Sequence, residues 1–433
     1  MNLVGIFFHS SRPIPAEQRA NFNHLFMDVI WWGILSGSTL SFIVVYAVRL
    51  GADPGQVGWL NAVPAIVSLA FALPVGQWLG QRQTGKMIFW SSVLNRLFYL
   101  LFIFLPWILT NQSQIWFIIL ATLVMSIPMT FFTVGFNALF AEAVPAEWRG
   151  YVVAVRNASL SITTVVTSLI SGQILNRLPF PIGYQMVVAM GFLGAAVSSY
   201  HLWFVRPRPV EPQLNQVEAN QVAVKSSLIM GAQAGVATRK LGWRGLFGPL
   251  RTDILKGSFG KILLLLFFFH LSQYLGIPIF PLYQVNQVHF SDQVISLGVG
   301  IFNFVVFLGS TQLPRLFGKF NNKLLTGAGV ILMATYPALM SISRDLPLFA
   351  FTSIVGGIAW SVVGGTLYNF ILDWIPGHDR PAHLSWYHLA LNAAILVGSL
   401  AGPLIANTIG LPDAMLVCAV ARLLAGLAIL RWG

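Results

Sequence analysis

Of the 13 aspartates and glutamates in this 433-residue sequence, Asp28 alone falls well inside a long apolar run. A carboxylate in such surroundings is expensive and is by default a functional candidate, able to carry a proton or to hold a cationic group. It stands about five residues into its run, roughly 8 Å from the nearer end at 1.5 Å per residue. Arg96 lies about nine residues into another run, roughly 14 Å deep by the same rise. Since both runs point the same way, Asp28 and Arg96 reach comparable depth and could pair. Arg422, in the last apolar run, is a second base at depth, so Arg96 and Arg422 are the candidates for ion pairs inside the apolar layer. His270, Gln273 and Tyr274 follow the i, i+3, i+4 spacing that puts them on one helical face. That face could bind a polar solute, and His270 could titrate near neutral pH and relay a proton.

These residues are exceptions in a chain that is 56% hydrophobic and 9% charged, with mean hydropathy +0.74. So few polar side chains cannot cover a soluble globule of this length, which places the chain in a bilayer. The 14 tryptophans suit that solvent, and Trp59, Trp78, Trp107, Trp116, Trp148 and Trp374 fall near expected helix ends, where an indole rests at headgroup level. The lone cysteine, Cys418, allows neither an internal disulfide nor a thiolate metal site. The sequence carries no metal or cofactor motif, so no cofactor is expected.

A span needs about 20 apolar residues, and twelve candidates are present: 23–48, 57–79, 87–109, 114–138, 151–176, 183–205, 260–283, 293–317, 323–343, 347–374, 383–408 and 412–430. The expected organisation is a six-helix bundle over 1–205, a linker over 206–258 and a second six-helix bundle over 259–433. The opening Met-Asn-Leu-Val-Gly-Ile-Phe-Phe lacks a basic start and is too short for a cleaved signal, so the N-terminus is expected to be retained and cytoplasmic. With that orientation Arg12, Arg19, Arg82, Lys86, Arg149, Arg156, Arg315, Lys319, Lys323, Arg380, Arg431 and the basic linker fall on the cytoplasmic side, and Arg49, Arg177 and Arg344 fall outside. This one-sided distribution explains the net charge of +12 without nucleic acid. The linker opens with Arg206-Pro207-Arg208-Pro209, and its basic residues could also rest on anionic headgroups.

The two halves echo each other. Glu142, Pro145, Arg149, Ser168, Leu169 and Asn176 recur, 231 positions later, as Asp373, Pro376, Arg380, Ser399, Leu400 and Asn407. An echo of this kind inside apolar runs reads as a duplicated membrane bundle. Opposite charges at neighbouring helix ends, Glu142 with Arg149 and Asp373 with Arg380, could latch the cytoplasmic side of the two bundles. Gly33 with Gly37 and Gly398 with Gly402 have the small-residue spacing that lets helices approach closely.

Twelve spans in two like-oriented halves joined by a basic loop resemble the major facilitator superfamily. The loop from Gly76 to Lys86 occupies the place of that family's signature between the second and third helices, with Gly80 where an aspartate is expected. Pro314 to Lys323 is a second, weaker copy, and Phe140 to Gly150 resembles the family's Pro-x-x-x-Arg-Gly element, repeated from Asp373 to Pro381 with proline for the glycine. These loops add Arg82 and Lys319 to the gate candidates. The resemblance implies that the first, fourth, seventh and tenth helices line a central cavity; on that reasoning Asn137, Asn303, Trp360, Tyr368, Asn369, His388 and Asn392 join the candidates for solute contact. It also implies that the third helix packs outside the cavity, which makes Arg96 a structural partner, and the same reading applies to Arg422.

The function expected from this is a secondary transporter that moves a small organic solute across the cytoplasmic membrane by alternating access, with protons as a possible coupling ion. The chain would work as a monomer with both termini cytoplasmic. A membrane enzyme acting on lipid, using His378, Asp379 and His383, is the competing class. A solute sensor derived from a transporter is a third. No His-Glu-x-x-His, Gly-x-Ser-x-Gly or phosphate-binding Gly-x-x-x-x-Gly-Lys-Ser/Thr motif is present to favour an enzyme or a pump.

Overall fold

A computed structural model describes residues 16–79, 84–207, 252–317, 319–376 and 379–433. Most of the 206–258 linker, Arg82 and His378 lie outside the described residues. Backbone polar groups in lipid must bond within their own segment, so a chain this apolar folds as helices, and the described residues contain no strand. Among them, twelve helices are long and apolar enough to cross a membrane. The first, α1, runs from Ala16–Leu35 through a π turn at Ser36–Leu40 into Ser41–Arg49; α2 is Pro54–Leu79, α3 Thr84–Ile108, α4 Asn111–Ala143, α5 Ala146–Arg177 and α6 Ile182–Phe204. In the second half α7 runs from Ser258–Gly276 through Ile279–Leu282 into a π turn at Tyr283–Gln287. It is followed by α8 Asp292–Phe317, α9 Asn322–Ile342, α10 Leu346–Leu372, α11 Arg380–Ile409 and α12 Leu411–Trp432.

Most expected boundaries hold within a few residues; α1, α4 and α5 differ most, and the earlier starts of α1 and α5 have consequences. The described α1 starts at Ala16, so Asp28 is twelve residues in, roughly 18 Å along the axis. Polar residues in the early turns mask that start in the hydropathy pattern. Likewise α5 starts at Ala146, five residues before the expected span, so Arg156 lies ten residues into the helix instead of five.

Successive helices reverse direction, so the bundle has two ends. Ala16 and Gly433 lie at one, called here the termini end, and the α1–α2 and α7–α8 turns lie at the other, the Arg49 end. The apolar core divides between them unequally. At the Arg49 end one cluster runs through both halves, from Leu35, Phe42, Val57 and Tyr184 to Ile279, Tyr283, Ile295 and Phe349. At the termini end each half has its own: Phe22, Leu25, Ile88, Leu139 and Val152 in the first, Phe259, Ile262, Val363, Phe370 and Ile429 in the second.

Small residues set the helix spacing. Gly33 and Gly37 of α1 lie against α5, where a Cβ at Gly37 would stand 2.5 Å from the Thr164 carbonyl oxygen and 2.9 Å from the Ser168 nitrogen. Gly398 and Gly402 of α11 lie against α7, a Cβ at Gly398 reaching 3.0 Å from the Leu271 oxygen and one at Gly402 overlapping the Leu275 oxygen. The α1–α5 and α7–α11 contacts are equivalents in the two repeats. Because the obstructing atoms are backbone, Gly402→Val should cost about 1–3 kcal/mol of overpacking, whereas Gly150→Ala, with nothing within 4 Å of the new Cβ, should be neutral or better. Thermal unfolding in detergent followed by size-exclusion chromatography checks both.

Candidate functional site

The halves meet along two helix pairs, α2 with α11 and α5 with α8, which exchange under the repeat. A Cβ at Gly58 of α2 would lie 2.7 Å from the Ser399 carbonyl oxygen and 3.7 Å from the Leu400 Cα. A Cβ at Gly300 of α8 would lie 3.1 Å from Leu169 Cδ2 and 3.6 Å from Ser168 Oγ. The Ser-Leu part of the sequence echo therefore sits in this seam, toward the Arg49 end, and only its acid-proline-arginine part sits at the termini end. Above the seam Arg49, the last residue of α1, donates from Nη2 to Asp292 Oδ1 at 3.0 Å and from Nε to the same oxygen at 3.2 Å. Nη2 also donates to the Phe290 carbonyl at 2.5 Å. Asp292 is in the first turn of α8, where the helix dipole favours an anion. The two side chains remain 26% and 14% exposed, so the pair contributes on the order of 1 kcal/mol or less. Most of the closure rests on the shared apolar core and the close backbones, and the pair is a weak clasp suited to opening.

At the termini end the same helices separate. An opening of about 520 Å³ lies between Gly150, Asn157 and Ser161 of α5 and Phe307, Ser310 and Thr311 of α8, with Trp360 of α10 in its wall. Trp360 also borders a second cavity, of about 370 Å³, inside the C-terminal half. There Gln273, Tyr274, Asn303 and Trp360, all expected from the sequence as solute contacts, come together with Arg422. His270 does not join them: its Nε2 lies 3.1 Å from the Tyr387 hydroxyl, and the residue is 5% exposed.

Arg422 is 2% exposed. Its Nη2 donates to the Gln273 carbonyl at 3.0 Å and its Nη1 to the Met333 carbonyl at 3.3 Å, while Nε is buried without a partner. Among the described residues no carboxylate forms an ion pair with it. Burying an unpaired charge costs several kcal/mol, and two carbonyl oxygens offset only part of that. The sequence places Arg422 on a peripheral helix; the structure turns it inward, because α12 packs on α9 and α7 and the long side chain spans the gap to their backbones.

The N-terminal half buries its charges differently. Asp28, 3% exposed, receives Arg156 Nη1 at 3.2 Å on Oδ2 and the Ser198 hydroxyl at 2.6 Å on Oδ1. Arg156 also donates to the Leu25 carbonyl at 2.6 Å and lies over the Phe136 ring at 4.9 Å. The expected Asp28–Arg96 pair is thus replaced by Asp28–Arg156, since α5 begins early enough to carry Arg156 to the depth of Asp28. Arg96 instead donates to the Ala195 carbonyl at 3.0 Å and to the Ser199 hydroxyl, with its guanidinium 5.2 Å from the Trp32 ring centre.

The other candidates scatter. Arg149 donates to the Ala141 carbonyl at 2.8 Å and the Val144 carbonyl at 3.3 Å, satisfying carbonyls left over at the end of α4. Asp373 accepts from the Asn322 amide at 2.8 Å. Each of these bonds stays within one half. Glu142 is exposed at the end of α4, Lys319 is exposed in the turn after α8, and Arg380 opens α11. Asn137, Tyr368, Asn369 and His388 are exposed along their helices, and the Asn392 amide donates to the His388 carbonyl at 2.8 Å. His383 Nδ1 lies 2.8 Å from the Asp379 carbonyl oxygen and its ring packs edge-on against Phe259, a local arrangement at the start of α11. The residues that sequence reasoning missed are Arg49, Asp292 and Arg156. Their signal was an unusual base on the sparsely charged face, an acid opening a helix, and a base ten residues after Ala146.

Two like-oriented six-helix repeats, closed together at one end and parted at the other, define a membrane transporter fold. The sequence profile of the Major Facilitator Superfamily matches residues 29–263 and 262–433, and the chain belongs to that superfamily. Solved structures with the same fold include a D-xylose-proton symporter (TM-score 0.69, 13% identity, covering 96% of this chain and 97% of that one). A mutant form of the nucleoside transporter NupG is similar at TM-score 0.68 and 13% identity, over 95% and 99% of the two chains. The xylose transporter XylE from E. coli, in a partially occluded inward open conformation, is similar at TM-score 0.66 and 14% identity, over 96% and 97%. No curated protein sequence matches the chain.

Proposed function

We propose that this protein is a secondary transporter that carries a small organic solute across the cytoplasmic membrane by alternating access, and that the conformation described here faces the cytoplasm. The observation that carries the reading is the unequal core: one apolar cluster joins the halves at the Arg49 end, whereas at the termini end each half closes on itself and a cavity enters between α5, α8 and α10. The basic residues gathered at the termini end support placing it in the cytoplasm. Solute enters past Trp360 to the Arg422 cavity, and the halves then rock about the seam. Asp28 is the coupling group of the proposed mechanism: protonation would release Arg156 and let α1 and α5 shift relative to one another.

Uptake and efflux in proteoliposomes, with a broad solute panel and with or without a pH gradient, test this. Solute flux that responds to the gradient is expected. In Asp28→Asn, and in the charge-balanced Asp28→Asn/Arg156→Gln variant, flux should continue downhill but ignore the gradient. A response equal to wild type would remove Asp28 from the mechanism. Flux of no solute at all, with lipid turnover detected, would replace transport by enzymatic activity.

A further inference from the structure

The cavity inside the C-terminal half contains a positive charge without a counter-charge. Arg422 is buried to 2% exposure, its Nε has no partner, its two bonded nitrogens meet only backbone carbonyls, and none of the ion pairs among the described residues includes it. The rest of the wall is apolar or aromatic, with Phe280, Phe302, Tyr336 and Phe349 prominent, and its remaining polar groups are neutral amides and hydroxyls. The contrast with the N-terminal half is informative: Arg156 there has Asp28 at 3.2 Å.

We propose that this cavity binds a small organic monocarboxylate, whose anionic group supplies the charge Arg422 lacks and whose apolar or aromatic body lies against the ring-lined wall. A guanidinium pairs with a carboxylate through directed N–H bonds, and in a water-poor site an interaction of this kind separates an acid from its neutral isostere. An anion rather than a cation follows from the sign of the charge. An organic anion rather than an inorganic one follows from the aromatic lining, which would leave a sulfate or chloride with nothing to pack on. A volume of about 370 Å³ suits a small ligand. The inference rests on the transport reading for its biological meaning, but binding is measured apart from flux.

The experiment is calorimetric titration of the full-length protein in detergent with 3-phenylpropionate, its neutral amide 3-phenylpropanamide, the cationic 3-phenylpropylamine, and sodium sulfate. The carboxylate is expected to bind about tenfold or more tighter than the amide, with the amine and sulfate weaker still. Arg422→Gln should abolish the preference for the acid and Arg422→Lys should keep a reduced one, both variants eluting and melting as folded protein. Absence of carboxylate binding, an amide bound as tightly as the acid, sulfate bound as tightly as the acid, or a full preference retained in Arg422→Gln would each overturn the proposal. If the carboxylate binds and is not carried into proteoliposomes, the site stands and its part in transport falls. If other solutes are carried and the carboxylate is not bound, transport stands and the site falls.

Discussion

Oxidation of a Ser168→Cys/Gly300→Cys variant is expected to reduce flux to about the background of empty liposomes, and reduction of the disulfide to restore it. The positions belong to opposite halves at the seam, and a Cβ at Gly300 lies 3.6 Å from the atom that a sulfur at 168 would replace, close to the reach of a disulfide. The bond would hold α5 to α8 where the halves must part for solute to reach the Arg49 side, so one covalent link should stop a cycle that depends on separation. Each single variant should transport, which distinguishes locking from damage. The native chain contributes no competing thiol chemistry, because Cys418 is its one cysteine and is 2% exposed. Undiminished flux in fully cross-linked protein would mean that the seam does not open.

The second large effect concerns the buried charges of the N-terminal half. Asp28→Asn leaves the Arg156 side chain, 15% exposed, with one carbonyl and an aromatic ring, and Arg156→Gln leaves the buried Asp28 with one hydroxyl. Removing one member of a buried pair typically costs about 3–5 kcal/mol. Each single variant should therefore melt far below wild type, and the Asp28→Asn/Arg156→Gln double variant should recover much of the loss. A double-mutant cycle on thermal unfolding in detergent measures the coupling, expected at about 1 kcal/mol or more. Simple addition of the two single effects would show that the residues act independently.

The spans are legible in the sequence because a bilayer crossing imposes about 20 apolar residues in a row, a local property that needs no knowledge of neighbours. The duplication is legible for a similar reason, and the loop motifs then point to the superfamily. What depends on rotation about a helix axis, or on contact between distant segments, is not legible. Arg422 is an example: its position on α12 is plain, but whether it turns to lipid or toward α7 and α9 is a packing outcome. Arg156 reads as a cytoplasmic-side anchor because the expected span opens at 151, only five residues before it, whereas α5 begins at Ala146 and carries it ten residues in. Arg49 and Asp292 are 243 positions apart, and nothing local links them. The seam serine and leucine are visible as an echo, yet their packing role emerges only with Gly58 and Gly300 opposite them. Gln273, Tyr274, Asn303 and Trp360 share one cavity, whereas His270, on the same face of α7, turns to Tyr387 on α11, since that face is wide enough to serve two neighbours.

The rocking of the halves is most directly tested by the distance between spin labels at Val153→Cys on α5 and Ser310→Cys on α8, both exposed on the walls of the opening at the termini end. The comparison is with the same labels in a chain also carrying Gly58→Trp, whose side chain cannot fit beside the Ser399 carbonyl, 2.7 Å from a Cβ at that position. Alternating access requires that wedging the seam apart at the Arg49 end closes the opening at the other, so the distance distribution should move to shorter values. A distribution unchanged by the wedge would contradict it.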